Sequence, residues 1–178
     1  MEFDAFFKCM NKSFKRSFLD AAAWEGRFIA EGYKSALVKN VKSQKHKEGG
    51  KGFDEWKPLN RAYAARKEKL GLDNRMLIAT GKYLEEISVR LPRVDGEKVT
   101  YIVEPSKKAV AGQKTSDFTY GQLSVVLERG SVSRSIPPRP HWGPTGAEFA
   151  NRYSEFAEKL QRRFIKDFDG KIKDCLSR

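Results

Sequence analysis

Few side chains in this sequence have the types and spacing that catalysis requires. The chain contains only two histidines, His46 in a lysine-rich stretch and His141 after Arg139-Pro140. Neither has a nucleophile or an acid beside it in the sequence, so we expect His141 to be a packing or interface residue and not a general base. The residues therefore predict no catalytic site.

A second candidate for chemistry is Gly112-Gln113-Lys114-Thr115, which superficially resembles a phosphate-binding loop. A true loop of this kind needs a glycine directly before the lysine, because its backbone N–H groups must point at the phosphate. Gln113 stands in that place, so the requirement fails. We therefore expect the protein to use no cofactor.

Metal ligands are equally sparse. Asp167, Asp169 and Asp174 lie in a predicted helix whose spacing turns them towards different faces, which argues against a cation site. Cys9 and Cys175 stand near opposite ends of the chain without the spacing of a zinc site. A disulfide between them is one alternative; since the sequence shows no signal peptide, two free thiols in a reducing cytosol are favoured. We expect no metal.

Charge is the strongest bulk signal. The 178 residues include 35 Lys and Arg against 23 Asp and Glu, a formal net charge of +12. The positive electrostatic field that results favours a nucleic acid, an anionic surface or an acidic protein as partner. The alternative is that the lysines serve solubility alone.

The composition suits one ordinary core, so we predict a single domain over residues 1–178. No apolar run approaches about 18 residues, so we expect no membrane partner.

Two basic segments, near residues 40–52 and 105–116, interrupt the regular patterns. Both combine lysine with glycine and lack periodicity, so we predict mobile loops. One interpretation is a pair of solvated loops; the other is a pair of arms that order on an anionic partner and release its counterions. On the second interpretation, the contacts to a partner or to a DNA channel are Lys39, Lys42, Lys45, Lys47, Lys51, Lys107, Lys108 and Lys114.

Hydrophobic periodicity predicts two long amphipathic helices at the ends of the chain. Apolar residues recur in steps of three and four over residues 3–28, and we expect this stripe to be core and not a membrane or partner surface. Near the other end, Thr145 and Glu148 have the spacing of a capping box that starts a second stripe, which continues to Leu176.

Between these helices the sequence predicts a small antiparallel sheet. Residues 88–91 and 99–103 are rich in β-branched and aromatic residues, and Asp95-Gly96 between them has the composition of a tight turn. Asn60 is a suitable N-cap for a short helix ended by Gly71. The predicted fold class is therefore α+β, with a small, mainly antiparallel sheet and long N- and C-terminal amphipathic helices.

The most distinctive block lies between residues 123 and 144. An apolar run ends in Glu128-Arg129-Gly130, and Ile136-Pro137-Pro138-Arg139-Pro140-His141-Trp142-Gly143-Pro144 follows shortly afterwards. The prolines fix the chain in an extended conformation before the final helix. Glu128 and Arg139 are candidates for an ion pair that connects a strand end to this turn, because a guanidinium can donate two parallel hydrogen bonds to one carboxylate. The alternative is that both charges are exposed.

Several blocks together carry a resemblance to a known group of proteins. Pro58-Leu59-Asn60, Ala64-Ala65-Arg66-Lys67, Thr80-Gly81-Lys82 and the block around Glu128 and Arg139 follow one another over residues 57–145. In this order and spacing they resemble the neck and tail-completion proteins of tailed phages, a group that includes the minor tail protein Z and virion morphogenesis families. The motif and structural residues of this resemblance are Thr80, Gly81, Glu128, Gly130, Pro138, Arg139 and Pro140.

The resemblance implies a structural protein without enzymatic activity. Proteins of this kind assemble as a homo-oligomeric ring at the head-proximal end of the tail, next to other neck, tail-tube or connector proteins. The chain would complete the tail and take part in head–tail joining, with DNA passing through the channel without sequence specificity. Its expected location is the virion, after assembly in the host cytoplasm. Tyr83 and His141-Trp142 depart from the residues usual at their places in the group.

A sequence-nonspecific nucleic-acid-binding protein is the main alternative. Phe53, Trp56 and Tyr63 are interleaved with lysines, and single-strand binding proteins use such aromatic residues to stack bases. The sequence contains no helix-turn-helix, zinc-finger, KH or RNP pattern, so sequence-specific recognition is not expected. A small phage enzyme is a second alternative, disfavoured because no motif supports it.

Overall fold

The computed structural model describes residues 3–44, 56–110, 118–133 and 135–177. The fold is α+β, as predicted: long helices stand at both ends and short antiparallel strands lie between them. The helices are α1 (Phe3–Lys42), α2 (Arg61–Lys69), α3 (Lys82–Glu85), α4 (Tyr120–Arg129), α5 (Trp142–Ala150) and α6 (Tyr153–Leu176). The strands are β1 (Ile87–Val89), β2 (Arg93–Asp95), β3 (Lys98–Thr100) and β4 (Val103–Pro105).

Contacts between residues divide the chain into two compact units, whereas the sequence predicts a single domain. Unit 1 comprises Met1–Glu31, Arg90–Ile102 and Asn151–Arg178, and unit 2 comprises Gly32–Val89 and Val103–Ala150. The core of unit 2 collects apolar side chains from the end of α1, from α3 and β1, and from the start of α4. Its buried members are Leu37, Val41, Trp56, Met76, Ile78, Tyr83, Leu84, Ile87 and Tyr120.

Helix α1 is longer than the sequence pattern predicts. Gly26 or Gly32 is expected to end or bend it, yet the helix continues through both to Lys42. Each glycine instead makes room for an aromatic ring. A Cβ on Gly26 would lie 2.6 Å from the ring of Tyr101, and one on Gly32 would lie 3.3 Å from that of Phe149. Close packing, which the sequence pattern cannot reveal, explains these glycines.

The strands form two antiparallel pairs. In unit 1, β2 pairs with β3 with Asp95 opposite Lys98, so the two turn residues are Gly96 and Glu97, one position beyond the predicted Asp95-Gly96. In unit 2, β1 pairs with β4 with Val89 opposite Val103. The predicted loop between the two strand runs, residues 92–98, is therefore partly strand, because β2 and the start of β3 fall within it.

The helix boundaries in the middle of the chain follow local capping. The Asn60 side chain accepts a hydrogen bond from the Ala62 N–H at 2.9 Å, which confirms it as the N-cap of α2. The apolar run before Glu128 has a sequence pattern that fits either a helix or a strand. In the structure it forms α4. The capping box that starts α4 joins Thr119 and Gln122. Gly130 therefore follows a helix end and not a strand end.

The predicted final helix is two helices. α5 ends at Ala150 and α6 begins at Tyr153, and α5 starts at Trp142, so Thr145 lies inside a helix and not at its cap. Thr145 is fully buried, and its hydroxyl accepts a hydrogen bond from the Asn40 amide at 3.1 Å. The same amide donates to the Glu148 carboxylate at 2.9 Å. The residues of the predicted capping box thus bind α1.

A disulfide joins α1 to α6 within unit 1. Cys9 and Cys175 are covalently bonded, which corrects the expectation of two free thiols. Between the same helices, the ring of Phe14 packs edge-on against those of Phe164 and Phe168, with centroids 5.1 and 5.4 Å away. The two cysteines are 166 positions apart, so only the folded chain brings them together.

The aromatic stripe of α1 is largely in contact with water, although the sequence pattern predicts it as core. Ser17 and Ala21 on this side are buried, but the larger side chains around them are not. We define the aromatic surface of unit 1 by six exposed side chains. They are Phe3, Phe7, Phe14, Phe18, Trp24 and Phe28, which are 39–76% exposed. Across the described ranges, no helix combines the length and apolar character needed to cross a bilayer.

Candidate functional site

The motif residues around Glu128 meet at the start of α5. The Glu128 carboxylate accepts hydrogen bonds from the backbone N–H groups of His141 at 2.8 Å, Trp142 at 3.1 Å and Gly143 at 3.1 Å. The first N–H groups of a helix have no partner within the helix, and the positive end of its dipole favours an anion. Glu128, carried by α4, is therefore the cap of α5.

His141 extends this cap into a buried network. Its Nδ1 lies 2.9 Å from the Arg139 carbonyl oxygen and 3.0 Å from the Glu128 carboxylate. Both neighbours are acceptors, so Nδ1 carries the proton. Its Nε2 lies 2.7 Å from the Tyr83 hydroxyl. His141 is fully buried, which confirms that it is a packing residue.

Tyr83 connects three distant parts of the sequence. Its hydroxyl accepts a hydrogen bond from the indole N–H of Trp142 at 3.1 Å and lies 3.0 Å from the Ser124 hydroxyl. Tyr83 lies in α3, two positions after the motif residue Gly81. The block that begins at Thr80 is thereby joined to the block that contains Glu128 through side chains buried in unit 2. We call Tyr83, Ser124, Glu128, His141 and Trp142 the unit 2 network.

The pKa values of this network follow from its hydrogen bonds and its burial. Desolvation raises the pKa of Glu128, but hydrogen bonds from the His141 side chain and from the backbone N–H groups outweigh it and hold the pKa at about 2. Desolvation raises the pKa of Tyr83 to about 12. Nearby, the Tyr33 hydroxyl donates to the Trp142 carbonyl oxygen at 3.0 Å, and burial raises its pKa to about 12. Glu128 is thus an anion and both tyrosines are neutral near pH 7.

A carboxylate, a histidine and a hydroxyl in this order have the arrangement of a nucleophilic triad. Two observations argue against that role. Tyr83 and His141 are only 7% and 0% exposed, so a substrate has no access to them. A raised pKa also makes the Tyr83 hydroxyl a weaker source of phenolate. The network is suited to holding α3, α4 and α5 together.

Glu128 and Arg139 bind other groups and not each other as predicted. The oxygens of Glu128 are occupied by α5 and His141. Arg139 is buried; its backbone N–H donates to the Leu127 carbonyl oxygen at 2.7 Å and its guanidinium to that of Lys57 at 3.4 Å. Both residues still connect the end of α4 to the proline-rich turn, but they do so through backbone groups.

Gly130 and Pro138 are in direct contact at this turn. Gly130 has φ +76°, and a Cβ there would lie 2.8 Å from the Ile136 carbonyl oxygen and 2.8 Å from the Pro138 nitrogen. No other residue type fits this backbone without displacing it. The carbonyl oxygen of Pro140 in turn accepts a hydrogen bond from the indole N–H of Trp56 at 3.0 Å.

A buried lysine has a comparable structural role in the block that contains α2. Lys67 is 2% exposed, and its ammonium donates to the carbonyl oxygens of Arg75 at 2.9 Å and Ile78 at 2.7 Å. Burial lowers its pKa. The sequence did not predict this role, because Lys67 lies among other charged residues in α2 and only the fold turns it inward.

The predicted basic contact residues are only partly within the described ranges. Lys39 and Lys42 lie in the last turn of α1 and are exposed, so the chain is still helical where the first loop is expected to begin. Lys107 and Lys108 follow β4, and the Lys108 ammonium lies 3.0 Å from the Glu86 carboxylate. Lys45, Lys47, Lys51 and Lys114 lie outside the described residues.

Unit 1 carries an open trough of about 790 Å³ along α6. It is lined by α6 residues between Lys159 and Asp174, together with Glu25 of α1. Arg163 lies 2.7 Å from the Glu25 carboxylate and over the ring of Trp24 at 4.5 Å. The lining of the trough therefore includes an ion pair between α1 and α6.

The described ranges contain no cluster of three His, Cys, Asp or Glu side chains that could hold a metal ion. Comparison with known proteins gave no match: no family model fits the chain, and no curated protein or solved structure is significantly similar to it.

Proposed function

We propose that this chain is a structural virion protein that completes the head-proximal end of a phage tail and takes part in head–tail joining. The observation that carries the proposal is the unit 2 network. Blocks that the resemblance identifies by order and spacing alone meet there, with Tyr83 beside His141 and Glu128 capping α5. The polar groups of these blocks are used to position helices, which supports a role in assembly.

In this proposal the chain acts without making or breaking bonds. Copies form a ring, other neck, tail-tube or connector proteins are its neighbours, and the cations of unit 2 face passing DNA or acidic protein. Such contacts are sequence-independent because they are made to phosphate charge and not to base edges.

Deletion of the coding sequence from a phage that carries it tests the proposal. We expect particles with filled heads and unjoined tails, and rescue by the chain supplied in trans. Mass spectrometry of purified virions should detect the chain, and an electron-microscopy map should locate it at the neck. Its absence from virions together with unchanged infectivity would contradict the proposal.

The second candidate is a free, sequence-nonspecific nucleic-acid-binding protein. The net charge of +12 favours it, and so does α2, in which Arg61, Arg66 and Lys69 are exposed and Tyr63 is 50% exposed. The discriminating measurement is fluorescence anisotropy with labelled single-stranded DNA at increasing salt. A steep loss of affinity with salt by a monomeric protein that is absent from virions would favour this candidate.

A further inference from the structure

The disulfide of unit 1 joins its two long helical segments at their ends. Cys9 lies near the start of α1, and Cys175 is the residue before the end of α6. Further along the helices, the Phe14 ring packs against the rings of Phe164 and Phe168 without any covalent bond. These ring contacts do not require the disulfide, so α1 and α6 can stay packed when it is reduced, whereas their ends are tied by it.

The two bonded residues differ in accessibility. Cys175 is 3% exposed, whereas Cys9 is only partly buried. In thiol–disulfide exchange a thiolate must reach one of the two sulfurs, and Cys9 is the residue that a small thiol such as glutathione can approach. Attack at Cys9 breaks the S–S bond and leaves the electron pair on the Cys175 sulfur, which then takes up a proton. A second glutathione thiolate releases the Cys9 thiol and leaves oxidised glutathione.

We propose that Cys9 and Cys175 form a redox switch, with two thiols in a reducing compartment and a disulfide in an oxidising one. Glutathione and thioredoxin keep thiols reduced in the cytosol, whereas disulfides persist outside the cell. The oxidant outside the cell is molecular oxygen. The two thiols lose two electrons and two protons as the S–S bond forms, and oxygen is reduced to hydrogen peroxide. Since the sequence contains only these two cysteines, no other pairing within the chain competes.

The switch acts on the helix ends of unit 1. In the reduced state the first turns of α1 and the last turn of α6 are held by noncovalent contacts alone, and such ends open locally at little cost. In the oxidised state they cannot separate unless the S–S bond breaks. We therefore expect the reduced protein to expose these ends to proteases and the oxidised protein to protect them.

The timing of the switch rests on the proposed function. Assembly in the host cytoplasm would take place with two thiols, when the ends of α1 and α6 can still adjust to neighbouring proteins. Release of the virion would expose the chain to oxygen, and the bond would then fix unit 1 in its final arrangement. The switch would thus separate a state suited to assembly from a state suited to survival outside the cell.

The first test uses the purified protein. Samples are kept without oxygen in millimolar reduced glutathione, or in air without it, and are then treated with iodoacetamide. Intact-mass spectrometry should find two alkylated cysteines in the first sample and none in the second, at the 20.3 kDa mass of one chain. In parallel samples, trypsin should cleave the ends of α1 and α6 at least about tenfold faster in the reduced protein.

The Cys9→Ser/Cys175→Ser variant is the control for proteolysis. It should be cleaved at the fast rate under both conditions, and circular dichroism should show that it keeps its helices. A wild-type protein that keeps the bond in glutathione, or that keeps free thiols in air, would overturn the proposal. Equal cleavage rates in the reduced and oxidised wild type would also overturn it.

The second test follows the chain through infection. Infected cells lysed directly into iodoacetamide should yield alkylated Cys9 and Cys175, whereas purified virions should yield a peptide pair linked through them. A bond that is already complete inside the cells, or free thiols in virions, would overturn the switch. The proposed function fails separately: absence of the chain from virions would overturn the neck role, and the purified protein would still decide whether the switch exists.

Discussion

In unit 2, Tyr83 and Trp142 are hydrogen-bonded inside a largely buried network, whereas in unit 1 several apolar rings of α1 remain in contact with water. Tyr83 and Trp142 meet His141 and Glu128 in a network of directional contacts. The helices of unit 1 are joined by ring contacts and by the Cys9–Cys175 bond. We infer that the stability of unit 2 depends on the geometry of its hydrogen bonds, whereas that of unit 1 depends on ring packing and a covalent link.

The largest expected effect is the loss of the covalent link in unit 1. Reduction of Cys9–Cys175 should lower the free energy of unfolding by about 3–5 kcal/mol, because the bond closes a very long loop. Urea denaturation with and without reductant measures the change, and hydrogen exchange should localise it to α1 and α6. A Cys9→Ser/Cys175→Ser variant is the control, and reductant should not affect it. An unchanged wild-type midpoint would show that the bond contributes nothing.

The next effect concerns backbone position in unit 2. Gly130→Ala should destabilise the protein by about 2–3 kcal/mol, because its Cβ meets backbone atoms at 2.8 Å and φ is +76°. Gly71→Ala is the matched control: φ is +63°, but nothing lies within 4 Å of the added Cβ, so only about 1 kcal/mol of left-handed strain is expected. Equal losses in the two variants, measured by urea denaturation, would mean that the close contact is unimportant.

The cap of α5 should depend on its charge. Glu128→Gln should cost about 1–2 kcal/mol at pH 7, since it replaces charge-assisted hydrogen bonds by neutral ones. The folded pKa of about 2 lies below the ordinary 4.5, so the contribution is complete above pH 4.5 and is lost as pH falls from there towards 2. Thermal unfolding of both proteins between pH 7 and 2 measures it. The difference in melting temperature between the wild type and Glu128→Gln should shrink as the pH falls. A constant difference would contradict the charge argument.

The smallest effect is that of a single hydroxyl. Tyr83→Phe should destabilise unit 2 by about 1 kcal/mol, because Trp142 Nε1 and His141 lose a buried partner. Tyr63→Phe is the matched control, since Tyr63 is half exposed and should tolerate the change. Urea denaturation compares the two. Similar losses in both would show that the buried hydroxyl has no special role.

Features that depend on neighbouring residues could be predicted from the sequence. Asn60 caps α2 and Gly96 lies in the hairpin turn, because each is decided by contacts within a few residues. Predictions that needed a distant partner were less successful. Thr145 and Glu148 have the spacing of a capping box, yet they bind Asn40, more than a hundred positions away. A side chain takes whichever partner the fold brings near it, and spacing along the chain does not identify that partner.

The candidate site shows the same division. The sequence singles out Gly130 and Pro138 by type and order, and their contact was not predicted. The sequence did not predict that Glu128 binds the start of α5 and His141. Its carboxylate accepts hydrogen bonds from three backbone N–H groups there, and only the fold brings these groups beside it. The exposure of Phe28 was also missed, since an apolar stripe has the same sequence pattern whether or not other side chains cover it.

The amino-acid sequence by itself determined the α+β class, the two long terminal helices, the local caps and turns, and the strongly basic character, because each follows from short-range periodicity or composition. Only the tertiary structure decided that Cys9 meets Cys175, that Glu128 caps α5 and that the aromatic stripe of α1 stays exposed. These features join or separate residues far apart in the chain, and their energies depend on distances that only folding sets.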